Sequence, residues 1–372
     1  MKKMRRIILS GGGTGGHIYP AVAVAEALRG KWGEQVELLF VGAEGKMEME
    51  KIPALGYRIE GLPVVGLYRR FTLSHFALPF KVVASIRRAK RIIRDFGADA
   101  VVGFGGYASA PVLWAAQRLG IPTIIQEQNS YAGLTNKILS KRAKRICVAY
   151  DKMERFFPAE RIVLTGNPLR GRFTADGSNR REALAHYGFN EELPVVLVVG
   201  GSLGTRTLNE MMKAWIATLG GEAPVQVIWQ TGKYYEREMQ AFLAEHPTKN
   251  IWQGAFIERM DYAYAAADVV LSRSGACTVS ELCLVAKPVI FVPSPNVAED
   301  HQTKNAMALV ERGAAEIVRD SEAVERGMCE AVALANNEER RESLSRNIAQ
   351  LAISDAAERV VTEIEKVLNG TL

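Results

Sequence analysis

The chain has 372 residues, of which 48% are hydrophobic and 24% charged: too long for one compact core, suited to two α/β domains, and too apolar for a disordered chain. Its net charge of +6 is compatible with phosphorylated substrates, anionic lipid or nucleic acid, and only the distribution of the charges can separate these. Cys147, Cys277, Cys283 and Cys329 are dispersed with no CxxC pair, so neither a disulfide framework nor a metal site is expected, and a reducing compartment fits.

The basic N-terminus leads into Ile7-Ile8-Leu9, too short a run for a signal peptide and readable instead as a first strand. No window approaches the roughly 18 apolar residues of a membrane span. A cytoplasmic protein whose membrane contact is peripheral is therefore expected. Strand Arg6–Ser10 runs into glycines, and His17–Arg29 follows with Ala21, Val24, Ala25 and Leu28 at helical spacing. Strands are expected near 36–41, 57–61, 100–103, 123–126 and 145–148, with helices between them. The pattern pauses at Thr165-Gly166-Asn167-Pro168-Leu169-Arg170-Gly171, which reads as a linker. It restarts at Val195–Val199, again running into glycines, with a helix over 205–219. Further strands are expected near 225–230, 251–253, 269–271, 289–292 and 315–318, and the last fifty residues are helical. Alternating βα units imply parallel sheets. The expected architecture is two Rossmann-like doubly wound domains facing a central cleft: residues 1–168, residues 169–350, and a C-terminal helix over 351–372 packing back on the first domain.

Three loops carry the chemical signal. Gly11-Gly12-Gly13-Thr14-Gly15-Gly16-His17 lies between the first strand and the first helix, where absent Cβ atoms and helix N-terminal amides favour an anion. Its Gly11, Gly13 and Gly16 match GxGxxG, but the acidic residue expected to end the second strand is only Glu44, placed late, which weakens a dinucleotide reading. Gly200-Gly201-Ser202-Leu203-Gly204-Thr205 repeats the geometry in the second half, with Ser202 able to hold a diphosphate oxygen. Ser272-Arg273-Ser274-Gly275-Ala276-Cys277-Thr278-Val279-Ser280-Glu281 opens a further helix, where Glu281 suits either a ribose diol or the helix dipole. Each loop taken alone is equally a tight βα turn with no ligand. Glu299–Asn305 adds polar groups able to read sugar hydroxyls.

The motifs GGGTGGHIYPAVAVAEAL, GFGGYASAP (103–111), QEQNSYAGLTNK (126–137), TGNPLR (165–170), GGSLGTRTLN (200–209), SRSGACTVSE (272–281) and EDHQTKNA (299–306) occur in order over almost the whole chain. Together they resemble the MurG family of N-acetylglucosaminyltransferases of peptidoglycan synthesis. The resemblance implies a GT-B fold and an inverting, cofactor-free and metal-independent reaction, consistent with the absence of Asp-x-Asp. UDP-GlcNAc would donate its sugar to the C4 hydroxyl of MurNAc in lipid I, the undecaprenyl-diphosphate-linked muramyl pentapeptide, giving lipid II. By motif match, Thr14, Gly15 and Gly16 approach sugar and diphosphate, and Asn129 and Arg170 contact the donor. Ser202 takes a diphosphate oxygen, and the backbone at Ile257 reads the uracil edge. Ala276, Cys277, Thr278, Val279, Ser280 and Glu281 cover diphosphate and ribose, while Gln302 and Asn305 serve the transferred sugar. Arg273 either joins them or is structural. His17 is the preferred general base, with Glu127 as its rival and a loop-shaping role as the alternative. Other cell-wall synthesis proteins are partners that such a role allows. The competing functions are another GT-B glycolipid glycosyltransferase, a UDP-GlcNAc 2-epimerase, and a non-catalytic nucleotide-sugar-binding partner of a membrane assembly.

Between Gly61 and Arg94 every charged residue is basic: Arg69, Arg70, Lys81, Arg87, Arg88, Lys90, Arg91 and Arg94. Phe71, Leu73, Phe76 and Phe80 are interleaved with them, and Leu78, Val82, Ile86, Ala89 and Ile93 form a helical stripe expected to face the core. Basic and apolar groups on one surface suit the anionic cytoplasmic face of a membrane, with Lys81, Arg87, Arg88 and Arg91 against the headgroups. A merely solvated basic helix is the plainer alternative. No nucleic-acid-binding module is recognisable.

Overall fold

The computed structural model describes residues 4–64, 78–171, 179–201 and 203–371, and for 78–80 the backbone alone. The chain forms two compact units, one of Met1–Gly171 with Ile353–Leu372 and one of Arg172–Ala352.

The first unit runs β1 (Arg5–Ser10), α1 (Gly15–Trp32), β2 (Val36–Ala43), α2 (Glu48–Ala54), β3 (Ile59–Leu62), α3 (Leu78–Phe96), β4 (Ala100–Gly103), α4 (Ser109–Arg118), β5 (Thr123–Glu127), α5 (Leu134–Ser140), β6 (Arg145–Val148) and β7 (Ile162–Leu164). Its seven strands are all parallel, in the order β3-β2-β1-β4-β5-β6-β7. A parallel sheet covered on both faces needs continuous apolar strands, and Ile7, Ile8 and Leu9 are accordingly all fully buried. Side chains alternate between faces, so Ile7 and Leu9 join Ala21, Val24 and Leu28 of α1, while Ile8 joins Ile92 and Ile93 of α3 and Leu113 of α4.

Two sequence expectations need correction here. Val82, placed on the core stripe of α3, is 46% exposed together with Val83, whereas Ser85, Ala89, Ile92, Ile93 and Phe96 face inward. The helix turns its inner face to the sheet only from Ser85 onward, where Pro63 and the strands lie beneath it. The residues 165–168, expected to be linker, are buried within the first unit, where Gly166 abuts Ile353.

The second unit runs α6 (Arg180–Tyr187), β8 (Val195–Val199), α7 (Arg206–Ile216), β9 (Glu222–Gln230), α8 (Glu236–Glu245), β10 (Lys249–Gly254), α9 (Met260–Ala266), β11 (Val269–Ser272), α10 (Ala276–Val285), β12 (Val289–Phe291), α11 (His301–Val310), β13 (Glu316–Ile317), α12 (Ala323–Ala335) and α13 (Glu338–Ala349). Its six strands are parallel in the order β10-β9-β8-β11-β12-β13. Val196, Val198, Trp229 and Leu271 pack there against Met211 and Met212 of α7 and Met328 of α12. The buried Trp229 indole donates to Asn209 Oδ1 at 3.0 Å, and Asn209 donates to the Thr231 carbonyl at 2.9 Å, so a polar pair inside this core is satisfied and ties α7 to β9.

The last helix, α14 (Ala356–Asn369), belongs to the first unit, where Val360, Val361 and Ile364 enter the same core as Ile7 and Leu9. No described helix is long and apolar enough to cross a membrane. Because Ile364 has no exposed surface, Ile364→Ala should destabilise the first unit by about 2–5 kcal/mol. Urea unfolding followed by a probe in that unit measures this, and a midpoint unchanged from wild type would contradict the packing.

Candidate functional site

In an open parallel sheet, ligands bind beyond the carboxyl ends of the strands, where the strand order reverses and the loops diverge. The first sheet reverses between β1 and β4, the second between β8 and β11.

In the first unit, the loop after β1 carries Gly13 in the left-handed region (φ 83°) and passes through extended Thr14 into α1. His17 folds back on this loop, with Nδ1 3.0 Å from the Gly12 carbonyl and 3.2 Å from Thr14 Oγ1. A carbonyl only accepts, so Nδ1 carries the proton and Nε2 is the basic nitrogen of the neutral ring. The loop after β4 closes tightly on it: a Cβ on Gly106 would lie 2.2 Å from the Gly12 oxygen. Gln128 Nε2, after β5, donates to the Phe104 carbonyl at 2.8 Å and draws the third loop in.

Glu127 ends β5 and is 2% exposed. Its Oε1 accepts from Asn129 N and Nδ2 (3.1 and 3.2 Å), and its Oε2 from Gly133 N and Asn136 Nδ2 (3.1 and 2.8 Å). Four donors occupy its two oxygens, so Glu127 is better suited to holding the 128–133 loop than to the role of rival base. Asn129 hangs from this carboxylate. Arg170 also lies in the first unit, in an exposed ion pair with Glu26 at 3.3 Å.

A buried acid that sequence reading missed lies beneath the first loop. Glu48, the first residue of α2, is 1% exposed and accepts from Gly13 N and Ala43 N, both at 3.0 Å. Burial of a single glutamate at a helix start leaves no periodic signal in the sequence.

In the second unit, a cavity of about 460 Å³ lies over the reversal point, lined among others by Gly200, Gly201, Thr205, Arg206, Gly275, Thr278, Ser294 and Gln302. The loop after β8 is held by Thr205 Oγ1 donating to the Gly200 carbonyl (2.7 Å) and by Gln230 Nε2 donating to the Gly201 carbonyl (2.9 Å). Its Gly204 packs where a Cβ would strike the Thr231 oxygen at 2.1 Å. The starts of α7 and α10 both reach the lining, and each helix N-terminus offers unpaired amides and about half a positive charge to an anion. Ser202 lies outside the described residues.

Of the residues expected to bind donor, Thr278, Arg273 and Gln302 share this lining. Arg273 Nη1 is committed to the Val292 carbonyl (2.8 Å) and Asp320 (2.6 Å), which favours the structural side of its reading. Gln302 Oε1 accepts from Ser294 N at 2.9 Å. The surroundings of the other expected residues define what each has to offer. Asn305 is fully buried with Nδ2 on the Ser274 carbonyl (3.3 Å), a contact that shapes the turn. Val279 N already bonds the Gly275 carbonyl (2.9 Å) and Ser280 Oγ the Ala276 carbonyl (3.1 Å), so the amides that precede Val279 at the helix start are the ones suited to an anion. Ile257 is 6% exposed, compatible with the backbone role expected of it.

Glu281 lies further along α10, with Tyr264 Oη donating to its Oε2 at 3.1 Å. Burial pushes its carboxyl up to about 7, the tyrosine bond offsetting only part of that cost. Burial, with the Glu281 charge adding to it, pushes the Cys277 thiol up to about 12. Of the residues expected at the membrane, Phe71, Leu73 and Phe76 lie outside the described residues, and Phe80 is described only as backbone of α3. Lys81, Arg87, Arg88 and Arg91 are exposed on α3, with Arg88 paired to Glu44 at 2.7 Å.

Two Rossmann-like units, each with a glycine loop at its reversal point, are the architecture of GT-B glycosyltransferases. The glycosyltransferase family 28 N-terminal domain matches residues 7–148, and the family 28 C-terminal domain matches residues 195–360. The chain is 50% identical over 364 residues to the UDP-N-acetylglucosamine--N-acetylmuramyl-(pentapeptide) pyrophosphoryl-undecaprenol N-acetylglucosamine transferase of Parabacteroides distasonis, covering 98% of both chains. It is 52% identical to the enzyme of that name from Porphyromonas gingivalis, covering 98% of this chain and 96% of that one. The crystal structure of Acinetobacter baumannii MurG superposes with a TM-score of 0.78 at 30% identity, covering 97% of this chain and 99% of that chain. The chain belongs to glycosyltransferase family 28, and within it to the MurG family.

The raised carboxyl of Glu281 has a consequence for stability. The folded chain holds this proton more tightly than the unfolded chain between about pH 4.5 and 7, so stability falls as pH rises through that window. Glu281→Gln keeps the acceptor for Tyr264 and should gain about 1–3 kcal/mol over wild type at pH 8 while flattening that slope. Chemical unfolding at pH 5 and pH 8 checks it, and equal stabilities at pH 8 would contradict the assignment.

Proposed function

We propose that the chain transfers N-acetylglucosamine from UDP-GlcNAc to the C4 hydroxyl of MurNAc in lipid I, releasing UDP and forming lipid II. The observation that carries this is near-complete coverage at about half identity to transferases of that name, supported by an anion-suited cavity in the second unit. That extent of identity favours this activity over an epimerase or a non-catalytic binding partner.

In this reading the second unit holds the donor. The diphosphate lies against the first amides of α7 and α10 and the 200–205 loop, Glu281 serves the ribose and Gln302 the sugar. The first unit serves the acceptor. Nε2 of His17 takes the proton from the MurNAc O4, O4 attacks C1 of the GlcNAc, and the C1–O bond to UDP breaks with inversion. The charge developing on the leaving diphosphate is stabilised by fixed backbone dipoles that need no reorganisation during the reaction. Glu127 keeps Asn129 and its loop in place for the acceptor. The chain works peripherally at the cytoplasmic face of an anionic membrane, with α3 presenting Val82, Val83 and its exposed cations.

His17→Ala should lower kcat for UDP release by about 10²–10⁴-fold while leaving UDP-GlcNAc binding intact. Glu127→Ala should act mainly on the acceptor KM. If kcat barely falls in His17→Ala, His17 is not the base. Neutralising Arg87, Arg88 and Arg91 together should weaken binding to anionic vesicles by about 10- to 100-fold, less than three free cations would give because Arg88 is paired. Flotation with unchanged binding, or binding indifferent to anionic lipid, would remove α3 from the membrane contact.

A further inference from the structure

One peptide group connects the buried Glu48 to His17. The carbonyl of the Gly12–Gly13 peptide accepts from His17 Nδ1 at 3.0 Å, and the N–H of the same peptide donates to Glu48 Oε2 at 3.0 Å. The other carboxylate oxygen is anchored by Ala43 N at 3.0 Å, at the end of β2, so the acid is held from two sides. The surrounding backbone is shaped to admit it. A Cβ on Gly12 would lie 2.1 Å from Glu48 Oε1, and one on Gly42 2.6 Å from its Cγ. Two glycines, Gly12 in the first loop and Gly42 in β2, thus leave room for one carboxylate that is itself 1% exposed.

A buried carboxylate is costly unless it is hydrogen-bonded. Here it also acts on what it touches. An anion on an amide N–H polarises the peptide and increases the negative charge on its carbonyl oxygen, because hydrogen bonds in a chain reinforce one another. That oxygen then holds Nδ1–H more firmly and favours a positive ring once Nε2 has taken a proton.

We propose that Glu48 is a positioning residue for the transfer, acting through the single Gly12–Gly13 peptide to fix the tautomer and orientation of His17 and to support the charge its ring gains. No proton moves to Glu48: the proton from the acceptor hydroxyl rests on Nε2 and Nδ1 keeps its own. The inference rests on His17 being the base.

The test compares wild type, Glu48→Gln, His17→Ala and the double variant of the full chain, with UDP-GlcNAc and a lipid I analogue, across pH. Glu48→Gln keeps the volume and removes the charge. It should lower kcat about tenfold, leave both KM values within about twofold, and move the acid limb of the pH profile down by about half to one pH unit, since a less supported imidazolium loses its proton more readily. In the His17→Ala background the same change should have no further effect. An acid limb that stays in place, or effects of the two substitutions that multiply, would show Glu48 to be only a clamp on the loop and overturn the proposal while leaving His17 as the base. Full activity in His17→Ala would remove the base itself, whatever Glu48→Gln does. Should Glu48→Gln not fold, ¹⁵N spectra of the wild-type imidazole decide: neutral His17 must carry its proton on Nδ1, and the Nε2–H tautomer overturns the proposal.

Discussion

The constraint on which the rest depends is the reversal of strand order at β1/β4 and again at β8/β11. Parallel strands leave their carboxyl ends pointing one way, and where the order turns back the loops must diverge to opposite faces. Each unit fills that gap with backbone instead of side chain. Gly12 and Gly106 approach within a distance no Cβ would allow in the first unit, as do Gly204 and the Thr231 carbonyl in the second. Close backbone contact is what gives the helix N-termini access to a ligand, and it explains why glycines gather at these places.

The same geometry serves different ends in the two units. After β8, amides of α7 and α10 reach a cavity with Arg206 in its lining, an environment favourable to a diphosphate. After β1, the loop lies above a buried carboxylate that has already taken the Gly13 amide. An anion is less welcome there, and the loop's distinctive contribution is the orientation of His17. In the proposed function this divides the work: charge stabilisation in one unit, proton transfer in the other. Two loops that look alike in sequence are therefore not interchangeable.

Much of the fold was legible because parallel strands buried on both faces must be continuous apolar runs. Ile7–Leu9, Val195–Val199 and Val269–Leu271 announce themselves, and the glycines after them mark the reversal points. What was not legible depends on contacts distant in sequence. β7 is a three-residue edge strand, too short to show a period. The 165–168 segment carries Gly, Asn and Pro like a linker, yet it is buried within the first unit, with Gly166 against Ile353. Val82 has the spacing of a core residue but precedes the point where α3 meets the sheet. In the sites, motif matching singled out His17, Thr278 and Gln302, while Glu48 and the four donors on Glu127 became visible only in three dimensions. Asn305 shows the converse: a polar residue in a binding motif can be used up in supporting a turn.

The most direct test of the account is the product itself. UDP-GlcNAc labelled in the sugar should be incubated with a lipid I analogue and the enzyme, and the glycolipid isolated for determination of its linkage. Label is expected in a lipid-linked disaccharide joined at the MurNAc C4 oxygen with inverted anomeric configuration, and one UDP for each disaccharide. Label appearing only as free sugar, in an epimerised nucleotide sugar, or in a disaccharide of retained configuration would contradict it.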